Sequence, residues 1–187
     1  IMDWDADIQQ IKHRRALAKQ QGGTESVGRQ HQKGRLTIRE RIDGLVDDGS
    51  FSELGEGAGV AEYDMSGALV DFQPANFVLG FGSINDRKVI IGGEDFTLKG
   101  GSPNPAGLRK SVYAEQLALQ YKLPLVRLHE GGGGAVGGTG QEKNRRPLGD
   151  PVYSVSRFAA LAETLGKVPV ATAALGPVAG LPAARLV

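Results

Sequence analysis

Cysteine is absent from the 187 residues. That excludes a disulfide framework, a thiol nucleophile and a cysteine-ligated metal. The absence suits the cytosol, or the mitochondrial matrix in a eukaryote. Histidine is scarce: His13, His31 and His129 lie far apart, so no histidine-cluster metal site is expected. Neither sign of charge dominates. With 22 basic against 21 acidic residues the net charge is +1, which directs the chain neither to nucleic acid nor to a membrane surface. No apolar run approaches the ~20 residues of a membrane span. The acidic start, Ile1-Met-Asp-Trp-Asp5, lacks the basic-then-apolar order of a signal peptide, and Ile1 before Met2 reads as a start inside a longer chain. Aromatics make up only 6%, against 40% hydrophobic residues, so the expected core is aliphatic and rich in alanine.

Glycine, by contrast, is abundant: 28 residues, roughly twice the usual share. No G-X-Y period accompanies it, which excludes collagen. The excess implies tight turns, or places where backbone must approach something closely.

Apolar spacing predicts a helix over 4–20 (Trp4, Ile8, Ile11, Leu17) and a polar linker over 21–32, with His31 a solvated loop histidine. Thr37-Ile-Arg-Glu40 is a capping box. It opens a helix whose apolar face is Ile38, Ile42, Leu45 and Val46, with Gly49 expected as the left-handed cap at its end. Phe51 starts an extended segment. The runs 77–81 and 88–91, separated by a turn at Asn85-Asp86, predict a hairpin. A helix follows around Leu108, Val112, Leu117, Leu119 and Tyr121, then a strand over 123–128. Residues 137–151 are polar and read as a loop. A helix over 152–166 should turn Val155, Phe158, Leu161, Ala162 and Leu165 inward. A buried strand, 168–175, precedes a glycine turn at 176–180, and Pro182 sits in the first turn of a last helix. The strand–glycine turn–helix alternation of the second half predicts an α/β layered fold with βαβ crossovers. A helix start with nothing after it suggests a fragment.

Three glycine turns carry the chemistry: Gly100-Gly101-Ser102, Gly131 to Gly134, and Gly176 to Leu181. Each follows a predicted strand, where open α/β sheets place ligands. Glycine there lets backbone N–H groups face a ligand without obstruction, and two such amides can hold an oxygen as it gains negative charge. The bland alternative is crowded turns without function. A Walker loop is excluded, because no Gly-Lys-Ser/Thr triplet ends any of them. Gly132 to Gly137 formally matches G-x-G-x-x-G, as any poly-glycine tract does. No G-x-S-x-G elbow is present. His129, beside Glu130 at a strand end, reads first as a structural histidine and second as an acid–base group. Arg127 is expected on the opposite strand face.

In order along the chain, several segments resemble the carboxyltransferase (β) subunit of biotin-dependent acyl-CoA carboxylases, members of the crotonase-like (ClpP/crotonase) fold group. They are Lys33-Gly-Arg-Leu-Thr-Ile-Arg-Glu-Arg-Ile42, the run 47–53, Gly80-Phe-Gly82 through Val89, Asp95-Phe-Thr through Ser102, Pro124 through Gly133, and Gly176-Pro-Val-Ala-Gly180. The resemblance implies a layered β/α superhelix forming the N-terminal half of a carboxyltransferase. Residues 33–187 would be its acyl-CoA-binding domain, incomplete at the C-terminus, preceded by a helix and linker over 1–32. It implies carboxyl transfer from carboxybiotin to the α or vinylogous carbon of an acyl-CoA through an enolate. Biotin rides on a separate carrier, coenzyme A is part of the substrate, and the partners are a biotin carboxylase and biotinyl carrier. A homo-oligomer, dimer or hexamer, is implied as well.

Carried over by motif, the amides of Gly180 and Leu181 form the thioester oxyanion hole, with Leu181 in place of the family's frequent second glycine. Gly100, Gly101, Gly132, Gly133, Gly134 and Ala135 fall to substrate binding, Ala135 standing where the family has Arg. Lys143, Arg145 and Arg146 are candidates for CoA phosphates. Three other readings remain open here: a biotin-dependent decarboxylase, a hydratase or isomerase without biotin using Glu130, and an inactive CoA-binding subunit.

Overall fold

The computed structural model describes residues 4–133 and 157–186. Helix α1 spans Asp5–Lys19 and α2 spans Gly23–Gln32. The expected linker is therefore largely helical, for a tertiary reason. Gln30 is buried and donates to the Glu130 carboxylate at 2.7 Å, and the Gly22 N–H donates to Thr97 Oγ1 at 2.9 Å. His31 thus stands on a helix, its ring nitrogen Nε2 2.9 Å from the Glu40 carboxylate. That hydrogen bond is the main reason the Glu40 pKa lies below the usual carboxylate value.

Helix α3, Ile38–Asp43, starts at the predicted capping box, with both reciprocal hydrogen bonds present. It ends sooner than expected. Gly44 keeps a right-handed conformation, and Gly49, at φ 68°, closes the loop beyond the helix. The first strands are β1 (Ser52–Glu53), β2 (Gly59–Tyr63), β3 (Leu69–Pro74), β4 (Phe77–Ile84) and β5 (Arg87–Glu94). The hairpin β4–β5 turns through Asn85 and Asp86, at φ 49° and 62°, the two positive φ angles of a type I′ turn.

A tight turn, Lys99–Gly101, leads into α4, Pro105–Tyr121. The Asn104 side chain caps α4 by accepting from the Gly107 N–H at 2.7 Å, and Pro105 pre-sets its first turn. Left-handed Lys122 ends it. Then come β6 (Leu125–Gly131), α5 (Arg157–Leu165), β7 (Val170–Val178) and α6 (Leu181–Ala184). On α5 the buried residues include Ala160, Leu161 and Thr164, whereas Ala162 and Leu165 are exposed, so its inner stripe is offset from the expected one. Val155 lies outside the described residues.

The main sheet runs β1-β4-β5-β6-β7, antiparallel from β1 to β5 and parallel from β5 to β7; β2 and β3 form a separate pair. Strand alternation sorts side chains onto two faces. Phe77, Leu79, Ile90 and Leu125 pack with Ala114, Leu117 and Ala118 of α4. Val78, Val89, Ile91 and Leu128 pack with Ile38 and Ile42 of α3.

Glycine also serves inside the strands. A Cβ on Gly80 would meet the Phe51 ring at 2.5 Å, and one on Gly92 the Phe77 ring at 2.7 Å. Phe51 and Phe77 thus lie against strand glycines. Among the described residues no helix is long and apolar enough to cross a membrane.

Candidate functional site

The three glycine segments meet at one end of the parallel strands, backbone against backbone. The Gly132 N–H donates to the Gly100 carbonyl at 2.9 Å, and the Ala179 N–H to the Gly131 carbonyl at 2.9 Å. A Cβ on Gly101 would stand 2.5 Å from the Glu130 carbonyl oxygen, and one on Gly133 2.9 Å from that of Ala179. Gly100, Gly101, Gly133 and Gly180 all have positive φ, at 62°, 68°, 74° and 65°. Gly180 combines this with ψ −136°, a region open essentially to glycine alone. Lys99, at φ 51°, adopts a left-handed conformation that is uncommon for residues other than glycine.

Gly100, Gly101, Gly132, Gly133, Gly180 and Leu181 are therefore brought together. Gly134, Ala135, Lys143, Arg145 and Arg146 lie outside the described residues. The third turn is tighter than expected: β7 runs on through Val178, leaving the turn at 179–180. Gly176 belongs to the strand, and the Glu130 side chain occupies the place its Cβ would take, which leaves room for glycine alone.

Leu181, the first residue of α6, lines a cavity of about 20 Å³ together with Gly101, Glu94, Ser111, Pro182 and Arg185, room for about one water. Beside Gly100, an open cleft of about 290 Å³ is lined by Arg29, Lys33, Lys99, Ser26 and Thr97. Arg29 is paired with Glu25 at 2.7 Å, and Lys33 and Lys99 there favour an anionic ligand.

Glu130 points to the α2–α3 side. It is fully buried and paired with Arg41 at 2.5 Å, with Arg35 at 3.3 Å and with Gln30 at 2.7 Å. Its carboxylate oxygens are taken up by Arg41, Arg35 and Gln30, and it does not line the cavity beside Leu181, so the role considered for Glu130 as a base passes from it. The carboxylate at the cavity is Glu94 instead. Its Oε2 lies 3.0 Å from His129 Nδ1, and His129 is wholly buried. The structural reading of His129 accounts for that contact.

Arg127 shares the His129 face, contrary to expectation, since a two-residue step returns to the same side of a strand. It meets Ser111 and Glu115 of α4, and burial lowers its pKa to about 10, against the opposing pull of Glu115. The sequence carried one sign of this network: charged residues inside apolar patterns, Glu115 between Ala114 and Leu117, and Arg127 between Val126 and Leu128. Asn76 left none. Its buried amide receives the Asn104 N–H at 3.1 Å and donates to the Ser102 carbonyl, setting the loop after Gly101.

Known proteins are similar to this chain in sequence and fold. The 12S transcarboxylase core, solved as a hexamer with methylmalonyl-CoA bound, superposes with TM-score 0.74 at 24% identity over 100% of this chain and 35% of that one; this likeness establishes the fold. The propionyl-CoA carboxylase beta chain of Cereibacter sphaeroides is 36% identical over 131 residues, 69% of this chain and 25% of that protein. The methylmalonyl-CoA decarboxylase subunit alpha of Veillonella parvula is 31% identical over 129 residues, 69% of this chain and 25% of that protein. The chain thus spans about a quarter of the length of the curated relatives it matches. The family model described as "carboxyl transferase domain" matches residues 29–183. The chain belongs to the carboxyl transferase domain family.

Proposed function

We propose that residues 33–187 form the acyl-CoA-binding domain of a biotin-dependent acyl-CoA carboxyltransferase. The observation that carries this reading is the convergence of Gly100–Gly101, Gly131–Gly133 and Ala179–Leu181 through backbone contacts at one sheet end. Such a surface offers backbone amides, and the carboxylate beside it, Glu94, is engaged by His129 at 3.0 Å. That suits a reaction in which the cofactor, and not the protein, accepts the substrate proton.

The Gly180 and Leu181 amides hold the thioester oxygen as the enolate forms. Gly101, Gly132 and Gly133 let the pantetheine arm approach the backbone. Lys33 and Lys99 in the cleft beside Gly100 supply charge for the CoA phosphates. Leu181 and Pro182 bound the acyl group. Carboxybiotin, on a separate carrier loaded by a biotin carboxylase, supplies the carboxyl group and the proton acceptor.

The test uses the full-length enzyme with its carrier and carboxylase, following label from bicarbonate into acetyl-, propionyl-, methylcrotonyl- and longer acyl-CoAs. Label should enter at least one of them. Gly180→Pro should abolish transfer, because proline removes the amide and cannot adopt positive φ. No transfer to any acyl-CoA sinks the reading; CoA binding without turnover would leave an inactive binding subunit. Decarboxylation is the second reading, favoured by the similarity to the Veillonella subunit. Release of CO2 from a carboxyacyl-CoA, without net fixation, would select it.

A further inference from the structure

The turn that presents Gly180 and Leu181 has little of its own to hold it. Helix α6 is four residues long and no side chain caps it, so it is far below the length at which a helix persists alone. Pro182 removes one of its few amides. Its near end is held by the Ala179 N–H to the Gly131 carbonyl at 2.9 Å, and a second restraint lies at its far end. Arg185 is 2% exposed, and its Nε donates to Glu115 Oε1 at 2.7 Å and its Nη2 to Oε2 at 3.4 Å. Glu115, on α4, is fully buried. The same Oε1 accepts from Arg127 Nη2 of β6 at 2.8 Å, and Arg127 also donates to the Ser111 carbonyl at 2.6 Å.

One carboxylate therefore ties three elements together. Buried ion clusters give little net stability over well-packed apolar residues, so stability is a weak reason for this one. Direction is a better reason, because a guanidinium fork fixes the angle as well as the distance of what it holds. Arg185 also lines the cavity that Leu181, Gly101 and Ser111 share, so its place bears on the candidate hole.

We propose that Arg185 is a positioning residue, its pair with Glu115 holding the Gly180–Leu181 amides in register with the glycines of β6. This rests on the reading of those amides as the thioester hole. In the full-length holoenzyme, Arg185→Met should lower kcat about 10²-fold, the loss expected for a displacement near 1 Å. KM for the acyl-CoA should stay within about threefold, because the CoA cleft is untouched. Amide hydrogen exchange over 179–186 should speed at least about tenfold, while α4 keeps its protection. Arg185→Lys should recover part of kcat, since it restores the charge but not the fork; it also carries the same comparison if Arg185→Met does not fold.

Unchanged exchange over 179–186 overturns the proposal, and so does faster exchange with wild-type kcat. A parallel rise in KM overturns it too, by making Arg185 merely structural. If the wild-type holoenzyme transfers no carboxyl group, the functional reading falls, and the exchange comparison alone decides whether Arg185 holds the turn.

Discussion

Glycine at position 101 and glycine at position 28 look alike in the sequence, yet opposite outcomes are expected for the same substitution. Gly101 has φ 68°, and a Cβ there would stand 2.5 Å from the Glu130 oxygen and 2.8 Å from the Gly131 Cα. Both obstacles are backbone and cannot rotate away. Gly101→Ala should cost about 2–4 kcal/mol. Gly28 sits within α2 with nothing within 4 Å of its would-be Cβ, so Gly28→Ala should stabilise by about 0.5–1 kcal/mol. Urea unfolding of the two variants reads both signs, and equal effects would refute the assignment.

Lys110 gives a pH prediction. It is 8% exposed, and its pKa falls to about 8, chiefly through burial, with Glu53 pulling the other way. The folded pKa lies below the unfolded one. Between about pH 8 and 10.5 the unfolded chain therefore holds the proton that the folded chain has released, and stability rises with pH across that window. The rise should be about 2–3 kcal/mol. Comparing urea unfolding at pH 7.5 and 10, wild type should gain that much more than Lys110→Met; equal gains would disprove it.

At the scale of elements, local grammar was legible wherever it closes locally. The Thr37–Glu40 box and the Asn85–Asp86 turn each need only neighbours in sequence. Asp47 reinforces that turn, its two carboxylate oxygens accepting the Asn85 and Asp86 N–H groups at 2.9 Å each. Asp86→Gly keeps that N–H, relieves the left-handed aspartate and removes a charge near Asp47. It should stabilise by about 0.5–1 kcal/mol, seen as a raised Tm; a lowered Tm would contradict the type I′ reading. The misreadings have a common cause. Residues 23–32 lack an apolar stripe, and their helix is fastened by Gln30 to Glu130, 100 positions away. Strand β7 runs through Gly176 and Pro177, paired with β6 as far as Val178 opposite Gly131, and Glu130 fills the space beside Gly176. Neither partner is visible from within its own segment.

For the molecule as a whole, apolar side chains remain uncovered. Trp4, Ile8 and Ile11 of α1 are 62%, 43% and 50% exposed, although their spacing reads as a buried face. On β7, a sheet edge among the described residues, Leu175 is 38% exposed. Such surfaces favour association, and sedimentation of the full-length protein should give a dimer or larger. A monomer at micromolar concentration would rule this out.

By itself, the sequence determined the α/β class, the aliphatic core, the hairpin, the Thr37–Glu40 capping box and the order of the three glycine turns, because each follows from periodicity or from contacts a few residues long. The tertiary structure alone decided that those turns meet, that Glu130 is tied to Arg35 and Arg41 while Glu94 faces the cavity, and that Arg185 reaches Glu115. These hydrogen bonds join residues 32 to 100 positions apart. Local propensity does not encode them; packing of the two faces of one sheet brings them within reach.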